Sequence, residues 1–433
     1  MLSYKEATEF LFNQLPAFEK VGESGYKPGL ERVVALSAAF GRPHARLKRV
    51  IHVAGTNGKG STSHTLAAIL QAQGYRVGLF TSPHLVDFRE RIRVNGSMIS
   101  EEEVVRFVDT FRGLDIEICP SFFELTTIMA FKYFADMNVD IAVVEVGLGG
   151  RLDSTNIITP TLSVITNISL DHTGLLGNTR AMIAREKAGI IKEGLPVLIG
   201  ETDAEITPVF ESIARDLEAP IYFAENIDPL IAAVEIGGLM KYTTRSHGTL
   251  QGDLTGECQI KNTRTVLAAI DIFRGQGVDI SDRAVQTGLR NVVALTGLAG
   301  RWQTVGKDPL TVCDTGHNPA GWRYSVDRLA SLPGTRHIVI GFVADKDVRE
   351  ILSMIAARKI GHAIYHFVAP DSHRAMPADR LRSLAAEVGL SGHSYGSVAE
   401  GYKKALADAG KGDSIFIGGS NYVVAEALAI MQR

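Results

Sequence analysis

The stretch from Lys48 to Thr62, KRVIHVAGTNGKGST, constrains the fold of this chain more than any other. A run carrying the β-branched residues Val50, Ile51 and Val53 ends in a Gly-rich turn holding one lysine. A hydroxyl-rich helix start follows at Ser61, Thr62 and Ser63. Strand, Gly-rich loop and helix in that order gather backbone N–H groups at a helix N-terminus, which is an anion site and above all a phosphate site. Gly55, Gly58 and Gly60 let the backbone pass close to phosphate oxygens, and Lys59 supplies a point charge for the outer phosphates. The spacing is G-x-x-G-K-G-S rather than the general G-x-x-x-x-G-K-S/T, with Val53 where the first glycine of that pattern should stand. The bland alternative is a glycine-rich turn with a surface lysine; the placement of strand and helix argues against it.

The chain has 433 residues, room for two sizeable cores at roughly 100–200 residues per domain. Short apolar strands alternate with helices through most of it, as a parallel, doubly wound α/β sheet requires. After the loop, the pattern predicts a helix from Thr62 to Gln73, a strand at RVGLF, and helices over 101–112 and 123–137. It then predicts strands over Val139–Val146 and Leu162–Ile168, a helix around 180–191 and the short strand PVLIG. Ahead of the loop, residues 4–15 and 29–40 read as amphipathic helices around a Gly/Pro turn. Residues 227–258 break the rhythm with Gly-rich, β-leaning segments that suggest antiparallel hairpins, and a helix over 261–274 follows. Near TGLAG (296–300) comes a seam. Beyond it a second α/β series has strands near 310–314, 337–342, 363–368 and 414–418, with helices between them and no phosphate loop. The expected architecture is an N-terminal domain (1–295) with a mostly parallel sheet and a small antiparallel section, and a Rossmann-like C-terminal domain (296–433). The cleft between two such domains is a common ligand site.

A net charge of −3 gives no electrostatic reason to expect nucleic acid or an anionic membrane. No apolar run approaches the ~20 residues of a membrane helix. The N-terminus lacks the pattern of a signal peptide. Cys119, Cys258 and Cys313 are odd in number and far apart, which points to a reducing compartment and a cytoplasmic protein.

Chemistry-bearing residues gather at expected strand ends, where open α/β sheets bind ligands. Glu145 sits inside the apolar run AVVEVGLGGRLDSTN and, buried, needs a cation or a strong hydrogen-bond network. Two readings are open for it: a core ion pair with an arginine such as Arg151, or a Mg²⁺ ligand facing nucleotide phosphates. His172 follows the next strand as a structural residue or a metal ligand, with Asp171 beside it to orient the imidazole or to act itself. Lys187, on a helix between Glu186 and Ala188, is by position alone a solvated face residue. In the second series, Asp314 could accept from ribose hydroxyls and His317 could stack on a base or meet a phosphate; Asn318-Pro319 would equally serve as a plain helix cap. Arg301 reads as a surface arginine or one that reaches a phosphate.

The run AGTNGKGST, TSPHL…FRERIRVNG, EVGLGGRLDSTN, SLDHTGLLGNT…IAREKAGI, DTGHNP and GFVADKD resembles the folylpolyglutamate synthase/dihydrofolate synthase family. That family belongs to the wider group of amide ligases that includes the Mur peptidoglycan ligases. The motifs occur in the family's order over residues 48–346, and weaker matches continue through SHRAMPADRL and GGSNYVVAEAL. The resemblance implies that Gly55, Thr56, Asn57, Gly58, Lys59, Gly60 and Ser61 hold the ATP phosphates. It implies that Ser82, Glu145 and His172 complete two Mg²⁺ sites, and that Lys187 is the family's carbamoylated lysine. Asn262, Arg301, Asp314 and His317 would bind ATP. The segment from Phe122 through Glu124 and Thr126 to Thr127, with Arg151 and Asp153 of the loop after Gly149, would border a pterin-bearing substrate. The chain departs from the family where a His-Gln pair is expected ahead of Asn262, reading Gln259-Ile260-Lys261.

The implied reaction joins L-glutamate to a pterin carboxylate through an acyl phosphate, with closure of the C-terminal domain excluding water. A bifunctional enzyme acting on dihydropteroate and folates is favoured over either single activity, and the chain is expected to be a monomer. Two other readings stand: a Mur-type ligase acting on a UDP-sugar, against which the GTNGKGS loop and the lack of a UDP-binding domain ahead of residue 48 argue, and an ATP-binding switch without ligase chemistry. A nucleic-acid motor is the least supported, since no basic stripe is present.

Overall fold

The computed structural model describes residues 2–15 and 29–431; most of the expected Gly/Pro turn lies outside the described residues. Two compact units are present. The first runs to His84 and from Phe88 to Leu298; the second comprises Leu85–Asp87 and the chain from Ala299 onward.

The first unit is built on eight strands: β1 (Val50–Ala54), β2 (Val77–Phe80), β3 (Ile92–Val94), β4 (Ser97–Met98), β5 (Ile141–Glu145), β6 (Leu162–Ile165), β7 (Val197–Ile199) and β8 (Ile221–Phe223). Their order is β4-β3-β2-β5-β1-β6-β7-β8, parallel throughout except that β3 pairs antiparallel with both β2 and β4. β1, β2, β5 and β6 are buried at every position, which is why they read as nearly unbroken apolar runs. Because β2, β5, β1 and β6 are neighbours and parallel, the segments that follow them leave the sheet at one edge. Those segments carry Ser82, Glu145, the Gly-rich loop and Asp171-His172.

The helix Lys59–Gln73 follows the loop and is buried from Gly60 to Leu70, so its sequence shows no clean polar face. Gly74, in the left-handed region, terminates it. This helix starts three residues earlier than its apolar period suggests, because the glycine loop itself forms the first turn. The helix at Glu257–Gly275 likewise begins before its expected start at 261. The break in rhythm is a three-stranded antiparallel sheet, β11-β10-β9, formed by β9 (Leu230–Ile236), β10 (Leu239–Thr244) and β11 (Thr249–Gly252). Upstream, the helices are shorter than their periods suggest: Tyr4–Glu9, widening into a π-helical turn at Phe10–Gln14, and Glu31–Ala39.

The second unit holds a six-stranded sheet of β12 (Gln303–Lys307), β13 (Leu310–Asp314), β14 (Arg336–Ile340), β15 (Ala363–Val368), β16 (Gly392–Tyr395) and β17 (Ser414–Gly418), in the order β12-β13-β17-β14-β15-β16. Only β12 runs antiparallel. The strand pattern does not announce β12 (QTVGK) or β16 (GHSY). Both are edge strands, half-exposed and poor in branched residues, so they carry little of the signal that core strands carry. Trp322, Phe342 and Phe416 fill this unit's core with mutual ring contacts.

Candidate functional site

The loop after β1 is held by the segment after β6. Thr56 N–H donates to Asn167 O (2.9 Å), Asn57 N–H to Asn167 Oδ1 (3.0 Å), and Asn57 O accepts from Thr166 Oγ1 (2.6 Å) and Asn167 Nδ2 (3.1 Å). The expected strand Leu162–Ile168 therefore ends at Ile165, and its last residues brace the loop. Gly58 has φ +82°, and a Cβ there would lie 2.3 Å from Asn262 Oδ1, so only glycine fits this crossing. No side chain caps the helix that Gly58 opens, which leaves its N-terminus turned to an anion. Lys59 Nζ bends back and donates to Gly55 O (3.0 Å) and Thr56 O (3.1 Å). Asn262 donates to Gln259 Oε1 (2.9 Å), and Gln259 Nε2 donates to Ser61 Oγ (3.4 Å). Gln259 and Asn167 join the candidate site; the sequence reading meets Gln259 only as part of the departure ahead of Asn262 and passes over Asn167. Gln259 lies one helical turn before Asn262, the spacing that would have placed both on one face.

Glu145 is buried at the end of β5, and its Oε2 accepts from the backbone N–H of Ser82 (3.3 Å). Arg151, the alternative partner for Glu145, reaches Glu186 instead, through Nε (3.2 Å) and Nη2 (2.8 Å). His172 sits in the left-handed region and carries its imidazole 3.9 Å from the Asp171 carboxylate. Among the described residues, no group of three or more His, Cys, Asp or Glu could hold a metal by itself. One carboxylate beside a phosphate loop suits instead a hard divalent cation that takes its remaining ligands from phosphates and water.

Lys187 overturns its bland reading. It is not a solvated face residue but is buried, at 4% exposure. Burial, with the Lys59 ammonium adding to it, draws it down to about 7 against the opposing pull of Asp171 and Asp153. Near neutral pH a substantial share of this amine is therefore uncharged and nucleophilic, unlike an ordinary lysine.

The residues expected to border an acceptor divide. Phe122 is fully buried, its ring stacked on Phe12 with centroids 4.9 Å apart and the Arg91 guanidinium 5.0 Å over it. Glu124 closes a capping box with Ser121 (2.6 Å to its N–H) and pairs with Arg32 at 3.1 Å. Thr126 Oγ1 donates back to Phe122 O (2.7 Å). Asp153 is buried and caps the turn Ser154–Ile157. Its burial pushes its pKa up, against hydrogen bonds from Thr155, Leu148 and Gly147 that favour the anion.

In the second unit, Asp314 ends β13 and accepts from Trp302 N–H and Gly316 N–H, both at 2.9 Å. Asn318 Oδ1 accepts from Gly321 N–H (2.9 Å), with Pro319 opening the helix Pro319–Ser331, so the capping turn is present. His317 Nδ1 donates to Thr315 O (3.1 Å), and Arg301 is half-exposed.

Residues 53–270 match the Mur ligase middle domain, and residues 300–421 match the Mur ligase glutamate ligase domain. The chain is 34% identical to the dihydrofolate synthase/folylpolyglutamate synthase of Bacillus subtilis, over 98% of each chain. The chain belongs to the folylpolyglutamate synthase/dihydrofolate synthase family. The fold agrees. The structure of Escherichia coli FolC in complex with DHPP and ADP superposes with a TM-score of 0.83 at 31% identity, covering 100% of this chain and 98% of that one. A bifunctional folylpolyglutamate synthase/dihydrofolate synthase with Mn, AMPPNP and L-glutamate bound superposes with 0.79 at 32% identity, covering 94% and 95%.

Proposed function

We propose that this chain is an ATP-dependent ligase that joins L-glutamate to dihydropteroate and to folates, one enzyme with both activities. The observation that carries the reading is the meeting, at one sheet edge, of an uncapped phosphate loop with the buried Glu145. It is supported by relatives solved with ADP and DHPP, and with AMPPNP, Mn and L-glutamate.

In this reading Gly55–Ser61 bind the ATP phosphates through backbone N–H groups, and Lys59 swings from Gly55 O and Thr56 O onto the outer phosphates. Gln259 orients Asn262 and Ser61 against the same loop. Arg301, Asp314 and His317, in the domain 296–433, are further nucleotide contacts. A carboxylate oxygen of the pterin substrate attacks the γ-phosphorus, and ADP leaves with the electrons of the broken P–O bond. The glutamate amine then attacks the acyl carbon and phosphate departs. The amine proton passes to solvent or to phosphate, and an amide remains. Ser82, Glu145 and His172 would hold Mg²⁺, which when bound neutralises the charge that develops on the phosphates. The neutral Lys187 amine adds to CO₂ and loses a proton, becoming a carbamate that can face a cation. Arg151 and Asp153 belong to the loop that borders the acceptor, together with the start of the helix Phe122–Asp136. The enzyme acts as a cytoplasmic monomer.

The test is phosphate release by purified protein with Mg-ATP and L-glutamate, with dihydropteroate in one vessel and tetrahydrofolate in another, and products identified by mass. Turnover of both is expected. Turnover of one alone would reduce the assignment to a single activity, and silence with both would overturn it.

A further inference from the structure

The central strand β1 reads VIHVA and is buried at every position, yet it carries a histidine where branched apolar residues are the rule. His52 is fully buried, and burial lowers its pKa to about 3, so it is neutral. Burying an imidazole is costly unless it is hydrogen-bonded. Its Nε2 lies 2.9 Å from Thr155 Oγ1, while its Nδ1 has no partner. The hydroxyl of Thr155 gives its one proton to Asp153 Oδ1, which also accepts from Thr155 N–H (3.0 Å); Oδ2 accepts from Leu148 N–H (2.8 Å). With the hydroxyl proton committed, His52 is the donor to Thr155, which fixes its tautomer with the hydrogen on Nε2.

The chain His52–Thr155–Asp153–Leu148 thus ties the middle of β1 to the loop 147–153. That loop lies against two other parts of the site. Gly147 packs so closely on the Phe123 ring that a Cβ would sit 2.5 Å from it, and Arg151 N–H donates to Glu186 O (2.8 Å) beside Lys187. We infer that His52 is a positioning residue for the acceptor: by donating through Thr155 it aims Asp153 at the loop and holds the 147–153 border in place. This rests on the reading of that loop as the acceptor border.

The experiment compares H52L, H52Q and T155V with the wild type in full ligation assays. Glutamine keeps a donor at the ε position; leucine and valine remove one link each. H52L and T155V are expected to raise the KM for the pterin acceptor about tenfold while the KM for ATP stays within about twofold, and H52Q to restore the acceptor KM to within about threefold. An unchanged acceptor KM in H52L overturns the inference. So does an equal rise in the ATP KM, which would mean that the phosphate loop after β1 has moved. H52Q as impaired as H52L would assign the effect to lost packing and overturn it as well. If H52L fails to fold, T155V carries the same outcomes. A wild-type protein that ligates neither acceptor overturns the acceptor reading along with this one, whereas a ligating wild type with an unaffected H52L overturns this one alone.

Discussion

The chain makes the same local structure twice, strand then turn then helix, with opposite outcomes. After β1 the turn AGTNGKG opens a helix that no side chain caps; the N–H groups of Thr56 and Asn57 and the carbonyl of Asn57 are held from outside by Thr166 and Asn167. After β13 the turn DTGHNP satisfies itself. Asp314 takes two backbone N–H groups, Asn318 caps the helix, Pro319 contributes no N–H, and Trp322 Nε1 donates to Gly316 O (3.0 Å). A helix start whose backbone donors are already matched leaves ligand contact to its side chains; one braced from behind, with its donors turned outward, is prepared for an anion.

The largest expected effect would test that contrast directly. Lys59→Ala should lower kcat about 10³-fold with its thermal transition unchanged, while His317→Ala should cost at most about tenfold, both read from phosphate release. Equal losses would break the distinction between the two turns.

Next comes Lys187. Lys187→Ala should lower kcat about 10²-fold. Because the amine must be neutral to add CO₂, bicarbonate should activate the wild type increasingly as pH rises through 7 and leave the variant unaffected; ¹³C-bicarbonate labelling checks for a carbamate carbon. Its pKa also has a stability consequence. Between about 7 and the ordinary 10.5, the unfolded chain holds a proton that the folded chain does not. In bicarbonate-free buffer, stability should therefore rise with pH across that window, with the penalty fully present below it. Lys187→Met should flatten that slope in thermal unfolding.

Gly58→Ala places a Cβ against Asn262 in a left-handed conformation, at a cost of about 1–3 kcal/mol in strain. It should raise the KM for ATP about tenfold, sharpening the claim that the loop's path, and not Lys59 alone, makes the site. The smallest effect belongs to the second turn: Asn318→Ala should cost about 1 kcal/mol of stability through the lost cap, read from denaturant unfolding.

Much of this was legible in the chain. The alternation of strands and helices, the phosphate loop, Glu145 at a strand end and the Asn318-Pro319 cap all follow from patterns within a few residues, because periodicity and capping are local. The order of motifs along the chain was enough to suggest the family. What the sequence could not show depends on neighbours far away in the chain. Lys187 looks like a surface lysine until the helix Arg180–Ala188 packs under the loop 147–153 and removes it from water. Arg151 looks like a partner for Glu145 until that same packing gives it Glu186. Gln259, Asn167 and His52 carry no signature of their own. Asn167 and His52 matter because parallel strands β1, β5 and β6 bring segments a hundred residues apart to one edge, and Gln259 because the helix Glu257–Gly275 brings it within reach of Ser61. Local sequence determined which groups are available; only the tertiary structure decided which of them lose water and face one another, and desolvation and distance are what set their chemistry.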